Sequence, residues 1–219
     1  MLGWILVSGY GISIGFHRLF SHESFKSTQL VRNILAYLGC LGAQGSPLFW
    51  VAIHNGYHHP YSDTPKDIHS PINGYLSSYF LWQVKLNPDK LSFRSALRFS
   101  KEPWLVFLHQ HYYKVFWATI FFFLLLGFKI LFSLVIIPMF ISIHQENCVN
   151  LFCHLRKFGY RNFDTADNSV NNIILGLFGF GQGWHNNHHA KPNRYNFGGQ
   201  RRYEIDFSVP LINLIKLKE

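Results

Sequence analysis

Val115-Phe-Trp-Ala-Thr-Ile-Phe-Phe-Phe-Leu-Leu-Leu-Gly-Phe-Lys-Ile-Leu-Phe-Ser-Leu-Val-Ile-Ile-Pro-Met-Phe-Ile-Ser-Ile143 holds a single charge, Lys129. A run of this length and polarity reads as membrane sequence. Extended back to Trp104 and forward to about Asn150, it can supply two helices of about 20 residues each. Gly127-Phe128-Lys129 is the natural turn, and Pro138 is tolerable inside a membrane helix. Histidine-rich segments lie on both sides of the run, His17 to His59 before it and His154 to His189 after it. A single crossing would part them, whereas a hairpin over about 104–150 returns the chain to the same face. The expected fold is all-α: an integral-membrane helical bundle with a histidine-rich helical cap, in one domain covering 1–219.

Composition supports this reading. Hydrophobic residues make up 48% and aromatics 18% of the 219 residues, while charged residues make up 14%. Soluble proteins carry about 25% charged residues. Of 20 Lys and Arg, Lys129 alone lies at the far turn, so the positive-inside tendency puts the histidine face in the cytoplasm. The net charge of +9 then reads as topology and attraction to anionic lipid headgroups. The basic residues are dispersed through membrane-like sequence, so no nucleic-acid partner is expected. Residues 1–16 carry no charge and as a helix reach about 24 Å, short of a hydrocarbon core of about 30 Å. They lack a basic leader and a cleavage site. They read as the latter part of a transmembrane helix whose beginning is missing.

Nine of the thirteen histidines fall into four clusters: His17-Arg-Leu-Phe-Ser-His22, His54-Asn-Gly-Tyr-His58-His59, Asn150-Leu-Phe-Cys-His154 and His185-Asn-Asn-His188-His189. On an α-helix each residue turns about 100°, which sets His54 and His58 about 40° apart, able to share an ion, with His59 swung about 100° onward. The His185, His188 and His189 unit behaves similarly. Each unit therefore splays its rings between neighbouring positions, which suits two metals. His17 and His22 lie about 140° apart on an α-helix, facing different ions, or one ion from a distorted helix end. Nine imidazoles over two ions give four or five each. A structural zinc closes with four ligands, usually including cysteine, so iron with open positions for oxygen fits better. His69, His109, His111 and His144 stand outside the clusters and read as ordinary core or surface residues. Cys40, Cys148 and Cys153 form no metal or disulfide pattern. No phosphate-binding glycine loop, dinucleotide fingerprint or haem-attachment motif occurs, so electrons are expected from a separate protein.

Together the clusters resemble the integral-membrane fatty acid desaturases, in particular the acyl-CoA, stearoyl (delta-9) type and its bacterial members. The flanking Ser62-Asp63-Thr64-Pro65, Asp67-Ile68-His69-Ser70-Pro71, Gly183-Trp184 and Tyr203-Glu204-Ile205-Asp206 carry the same likeness. The resemblance implies two Fe2+ ions held by His17, His22, His54, His58, His59, His154, His185, His188 and His189, with Asn150 acting through a water. No catalytic residue beyond these ligands and no organic cofactor is implied. O2 is the co-substrate, and a ferredoxin, rubredoxin or cytochrome b5-like protein is the expected electron donor. The product is a cis double bond near the middle of an acyl chain. Ile53 and Asn55 stand beside His54 where acyl-CoA members often carry charge, which shifts weight from a CoA thioester toward acyl-lipid or acyl carrier protein substrates. The expected location is a bacterial inner membrane with the site facing the cytoplasm. The alternatives are a di-iron hydroxylase of alkyl chains and an inactive, truncated metal-binding relative.

Overall fold

The computed structural model describes residues 1–218. Among these the regular structure is helical, with three isolated bridges and no sheet. Helix α1 spans residues 2–21, and most of it coils with the wide i→i+5 pattern, uncommon at this length. From Ile12 onward it is buried, and Ile12, Ile14, Phe16, Leu19 and Phe20 form the centre of the core. α2 (Gln29–Cys40) starts at Thr28, whose side chain accepts from Val31 N, and packs along α1. The two backbones touch through glycine: a Cβ on Gly11 would meet the Leu38 carbonyl carbon at 2.6 Å. Small residues at helix crossings allow such approach.

α3 (47–61) begins with Ser46 as cap and Pro47 in the first turn, where its missing N–H costs nothing. α4 (77–85) follows a turn-rich segment. α5 (Pro103–Gln110), α6 (Tyr112–Leu126) and α7 (Phe128–Phe152) hold the apolar run. Gly127 separates the last two at φ 124°, in the left-handed region open to glycine. α7 has 25 residues and is long and apolar enough to cross a membrane. α6 has 15 residues and is shorter than that standard. Both turn large apolar side chains outward, among them Trp117, Phe121, Leu125, Phe128, Ile137 and Phe140. Trp104 Nε1 donates to Asn33 O at 3.0 Å where the chain enters α5, and α7 delivers it to His154.

Past α7 come α8 (Ile173–Phe178), α9 (His185–Ala190) and α10 (Ser208–Ile215), joined by long turns. Two buried polar knots fix these turns. Arg18, on α1, pairs with Asp206 at 2.9 Å and donates to Tyr195 O and Phe180 O, its guanidinium lying 3.8 Å from the centre of the Phe197 ring. Glu204 accepts from Tyr160 Oη, Asn162 Nδ2 and Asn187 Nδ2 at 2.7, 2.6 and 3.0 Å. Glu204 and Asp206 thus tie the C-terminal segment to α9 and to the end of α1.

Candidate metal centre

The folded chain gathers all nine clustered histidines. His17, His22, His54, His59 and His188 bring one ring nitrogen each within 4.8 Å of the others, and His58, His154, His185 and His189 form a second such group. The groups share a border, where the His59 and His189 rings stack 4.8 Å apart. His69, read from sequence as an ordinary residue, lies at the site: its ring is 4.5 Å from that of His58, and Asp67 stands between their Nδ1 atoms. His109 and His144 instead meet Ser46 and Tyr79, away from the groups.

The grouping departs from the α-helical expectation in one unit. His54 shares a group with His59, and His58 turns to the other. The reason is the local coil. His59 N–H bonds to His54 O, an i→i+5 step, so residues five apart come onto one face as residues four apart do in an α-helix. The same step, His22 N to His17 O at 3.1 Å, brings His17 and His22 together at the end of α1. In α9 the turn is α-helical, and the outer pair His185 and His189 shares a group while His188 crosses to the other. Three residues separate His54 from His58, and two separate His185 from His188. The wider coil absorbs the extra residue and preserves the two-plus-one division. Deleting Gly56, whose nearest outside contact is Ser95 Oγ at 3.4 Å from an added Cβ, is therefore expected to leave metal content unchanged. Deleting Asn186 is expected to remove metal. Metal per chain by mass spectrometry checks both.

The spacer residues of α9 are anchors. Asn186 Oδ1 accepts from Asn162 N and Phe163 N, both at 2.9 Å. Asn187 Oδ1 accepts from Asn171 Nδ2 at 2.8 Å, and its Nδ2 donates to Phe197 O at 2.9 Å.

Behind the rings stands a set of acceptors. The Nδ1–H groups of His58, His154 and His189 donate to Asp67, Asp63 and Asp167 at 3.0, 3.0 and 2.7 Å. His17 Nδ1–H donates to Gln182 Oε1 at 2.5 Å, and the Gln182 amide donates to both oxygens of Glu146 at 3.1 and 3.0 Å. A neutral imidazole that donates through Nδ1 presents a bare lone pair at Nε2. Burial, then the neighbouring histidines, holds His54, His58, His59, His185 and His188 well below the ordinary imidazole pKa, so they are neutral. Burial opposes charge on His154 too, but Asp63 outweighs it and raises its pKa. Burial would raise Asp63 and Asp167, yet hydrogen bonds from His154 and His189 bring both below the usual carboxylate range.

This donor set fits two cations. The Nε2 atoms of His154 and His185 are 2.9 Å apart, those of His189 and His185 3.0 Å, and those of His22 and His54 2.8 Å. With a metal–imidazole bond of about 2.1 Å, ligands at right angles have nitrogens about 3.0 Å apart and tetrahedral ligands about 3.4 Å. The nearest pairs stand at separations that ligands of a shared cation would have, and an all-imidazole set without thiolate is one that would suit iron.

One cavity touches both groups through His17, His54, His58 and His185. Its remaining wall combines Trp50, Ile53, Trp82 and Val149 with the polar Gln44, His69, Glu146, Asn150 and Gln182. Asp63 and Asp67 stood in the quoted flanks without a role, while Asp167, Gln182 and Glu146 have no spacing signal and come to the site only by folding.

A protein-family model described as fatty acid desaturase matches residues 1–203. The chain is 32% identical to Delta-9 acyl-lipid desaturase 1 of Arabidopsis thaliana over 96% of its own length and 69% of the relative's. It is 34% identical to sn-1 stearoyl-lipid 9-desaturase of Anabaena variabilis, over 99% and 79%. It is likewise 34% identical to Acyl-CoA C20 Delta5-desaturase of Anemone leveillei, over 94% and 66%. With these matches and the clustered histidines, the chain belongs to the fatty acid desaturase family.

Proposed function

We propose that this chain is an O2-dependent oxidoreductase that introduces a cis double bond, at the delta-9 position, into an acyl chain carried as a lipid, a CoA thioester or an acyl carrier protein thioester. The observation that carries the reading is the pair of histidine groups flanking one largely apolar cavity. His17, His22, His54, His59 and His188 hold one iron and His58, His154, His185 and His189 the other, with Asn150 reaching the second through a water. When bound, the irons supply the oxidising power to take hydrogen from unactivated methylenes. O2, two electrons, two protons and the two hydrogens of the acyl chain leave as two waters.

The residues of the chain do the rest. Asp63, Asp67, Asp167 and Gln182 fix ring orientation and keep the Nε2 lone pairs inward. Trp50, Ile53, Trp82 and Val149 offer an apolar bed that aligns methylenes and excludes water. Selectivity therefore rests on the shape of the chain. The domain is a single unit over 1–219, with α6 and α7 as a membrane hairpin, residues 1–16 packed beside it, and the site on the cytoplasmic side of a bacterial inner membrane. The outward apolar faces of α6 and α7 and the lone far-end charge, Lys129, support that placement. A ferredoxin, rubredoxin or cytochrome b5-like protein supplies electrons.

The test is a fatty-acid profile, by gas chromatography–mass spectrometry, of cells expressing the chain together with an electron donor. Monounsaturated chains absent from control cells are expected, with the bond located by derivatisation and the carrier found by fractionating lipids and thioesters. Hydroxylated chains in their place would move the chain to the hydroxylase reading, and no product from membrane-inserted, iron-loaded protein would sink the proposal.

A further inference from the structure

The two histidine groups differ less in the rings they present than in what stands behind them. In the four-histidine group, His58, His154 and His189 each donate to a carboxylate. In the five-histidine group, His17 donates to the neutral amide of Gln182, and the Glu146 carboxylate lies one amide further out. Each group also holds one buried Nδ1 without a partner, His188 in the five-histidine group and His185 in the four-histidine group, so the difference lies in the carboxylates. His58 and Asp67 are almost fully buried, as are His154 and Asp63, so water screens these charges little.

On the ligand reading above, we propose that the four-histidine site binds a divalent cation more tightly than the five-histidine site, so the pair fills and empties in a fixed order. A carboxylate behind a ligating imidazole raises its basicity, and losing one such partner costs about 10–100-fold in affinity. Three ligands at one site have this support, and none at the other has it directly. The fifth imidazole is worth more than any one such partner, but three partners act together at the four-histidine site. The same carboxylates compensate the charge of the ion they back, which makes the two ions electrostatically unequal. Asp63, Asp67 and Asp167 are thus positioning residues that set the order of occupancy.

The experiment uses the full chain in detergent or nanodiscs, loaded anaerobically with ferrous iron alone and titrated with a ferrous-selective chelator. Retained iron per chain is the readout. Release in two steps of one ion each, at chelator concentrations at least about tenfold apart, is expected. His22→Ala should weaken only the step that empties first. Asp63→Asn and Asp167→Asn keep an oxygen acceptor for the histidine N–H but remove the charge. Each should shift only the later step, by about tenfold or more, toward the earlier one. Two ions leaving together from the unmodified chain would overturn the proposed order while leaving the ligand reading intact. So would Asp63→Asn or Asp167→Asn weakening the step that His22→Ala weakens. No iron uptake, or two steps that His22→Ala leaves unmoved, would overturn the ligand reading and the order with it.

Discussion

His188→Ala is expected to abolish product formation and to lower iron from two ions per chain to about one. His188 is fully buried, and its Nε2 lies 2.9 Å from that of His17 and 3.1 Å from that of His59. The substitution removes a ring from the middle of the five-histidine group, a ligand on the proposed reading, and leaves space against Phe197, whose ring centre is 4.3 Å away. Losing an outer-shell partner costs about 10–100-fold in metal affinity, and losing a ligand should exceed that range. The four-histidine group draws on other rings and should keep its ion. His109→Ala is the matched control, because His109 meets Ser46 rather than either group, and it should retain two ions. Metal per chain together with the fatty-acid profile checks both variants. Two ions and full product from His188→Ala would remove His188 from the ligand set.

Asp206→Ala is expected to be the most destabilising change outside the centre. Arg18 and Asp206 are fully buried at the side chain and 2.9 Å apart. Asp206 also accepts from Phe197 N and Ser208 N, both at 2.9 Å. Breaking a buried pair from one side strands a charge and costs about 3–5 kcal/mol. In a chain of this size that corresponds to roughly 10 °C in Tm. Replacing both partners, Arg18→Met with Asp206→Leu, should recover part of the loss, because no charge is left alone. Thermal unfolding in detergent of the two variants beside the unmodified chain measures this. A loss under about 1 kcal/mol for Asp206→Ala would show that the pair is not a clasp. The neighbouring His17 links stability to the centre, so Asp206→Ala should also release iron from the five-histidine site.

How the histidines divide shows where sequence reading stops. All nine were visible because the metal-binding types recur in short clusters, and an apolar run between clusters required a chain that comes back on itself. The division between groups was not visible, because it depends on helical pitch. An α-helical wheel pairs His54 with His58, and the i→i+5 turn pairs His54 with His59. The spacing itself held a hint, since the His54 unit is one residue longer than the His185 unit. His69 reads as an ordinary residue because a lone histidine carries no pattern, and its position depends on the fold of the Asp63–Ser78 segment, where Ser78 Oγ donates to His69 O at 2.6 Å.

By itself the sequence determined the helical class, the apolar run and the nine histidines that come together, because these follow from residue type and short-range periodicity. Tertiary structure decided which rings come together in each group, which carboxylates stand behind them and which side chains wall the cavity. Asp63 and His154 are separated by 91 positions yet lie 3.0 Å apart. Gln182 reaches back 165 positions to His17. Contacts of that range arise from helix packing and from the buried Arg18–Asp206 and Glu204 knots, and no local pattern records them.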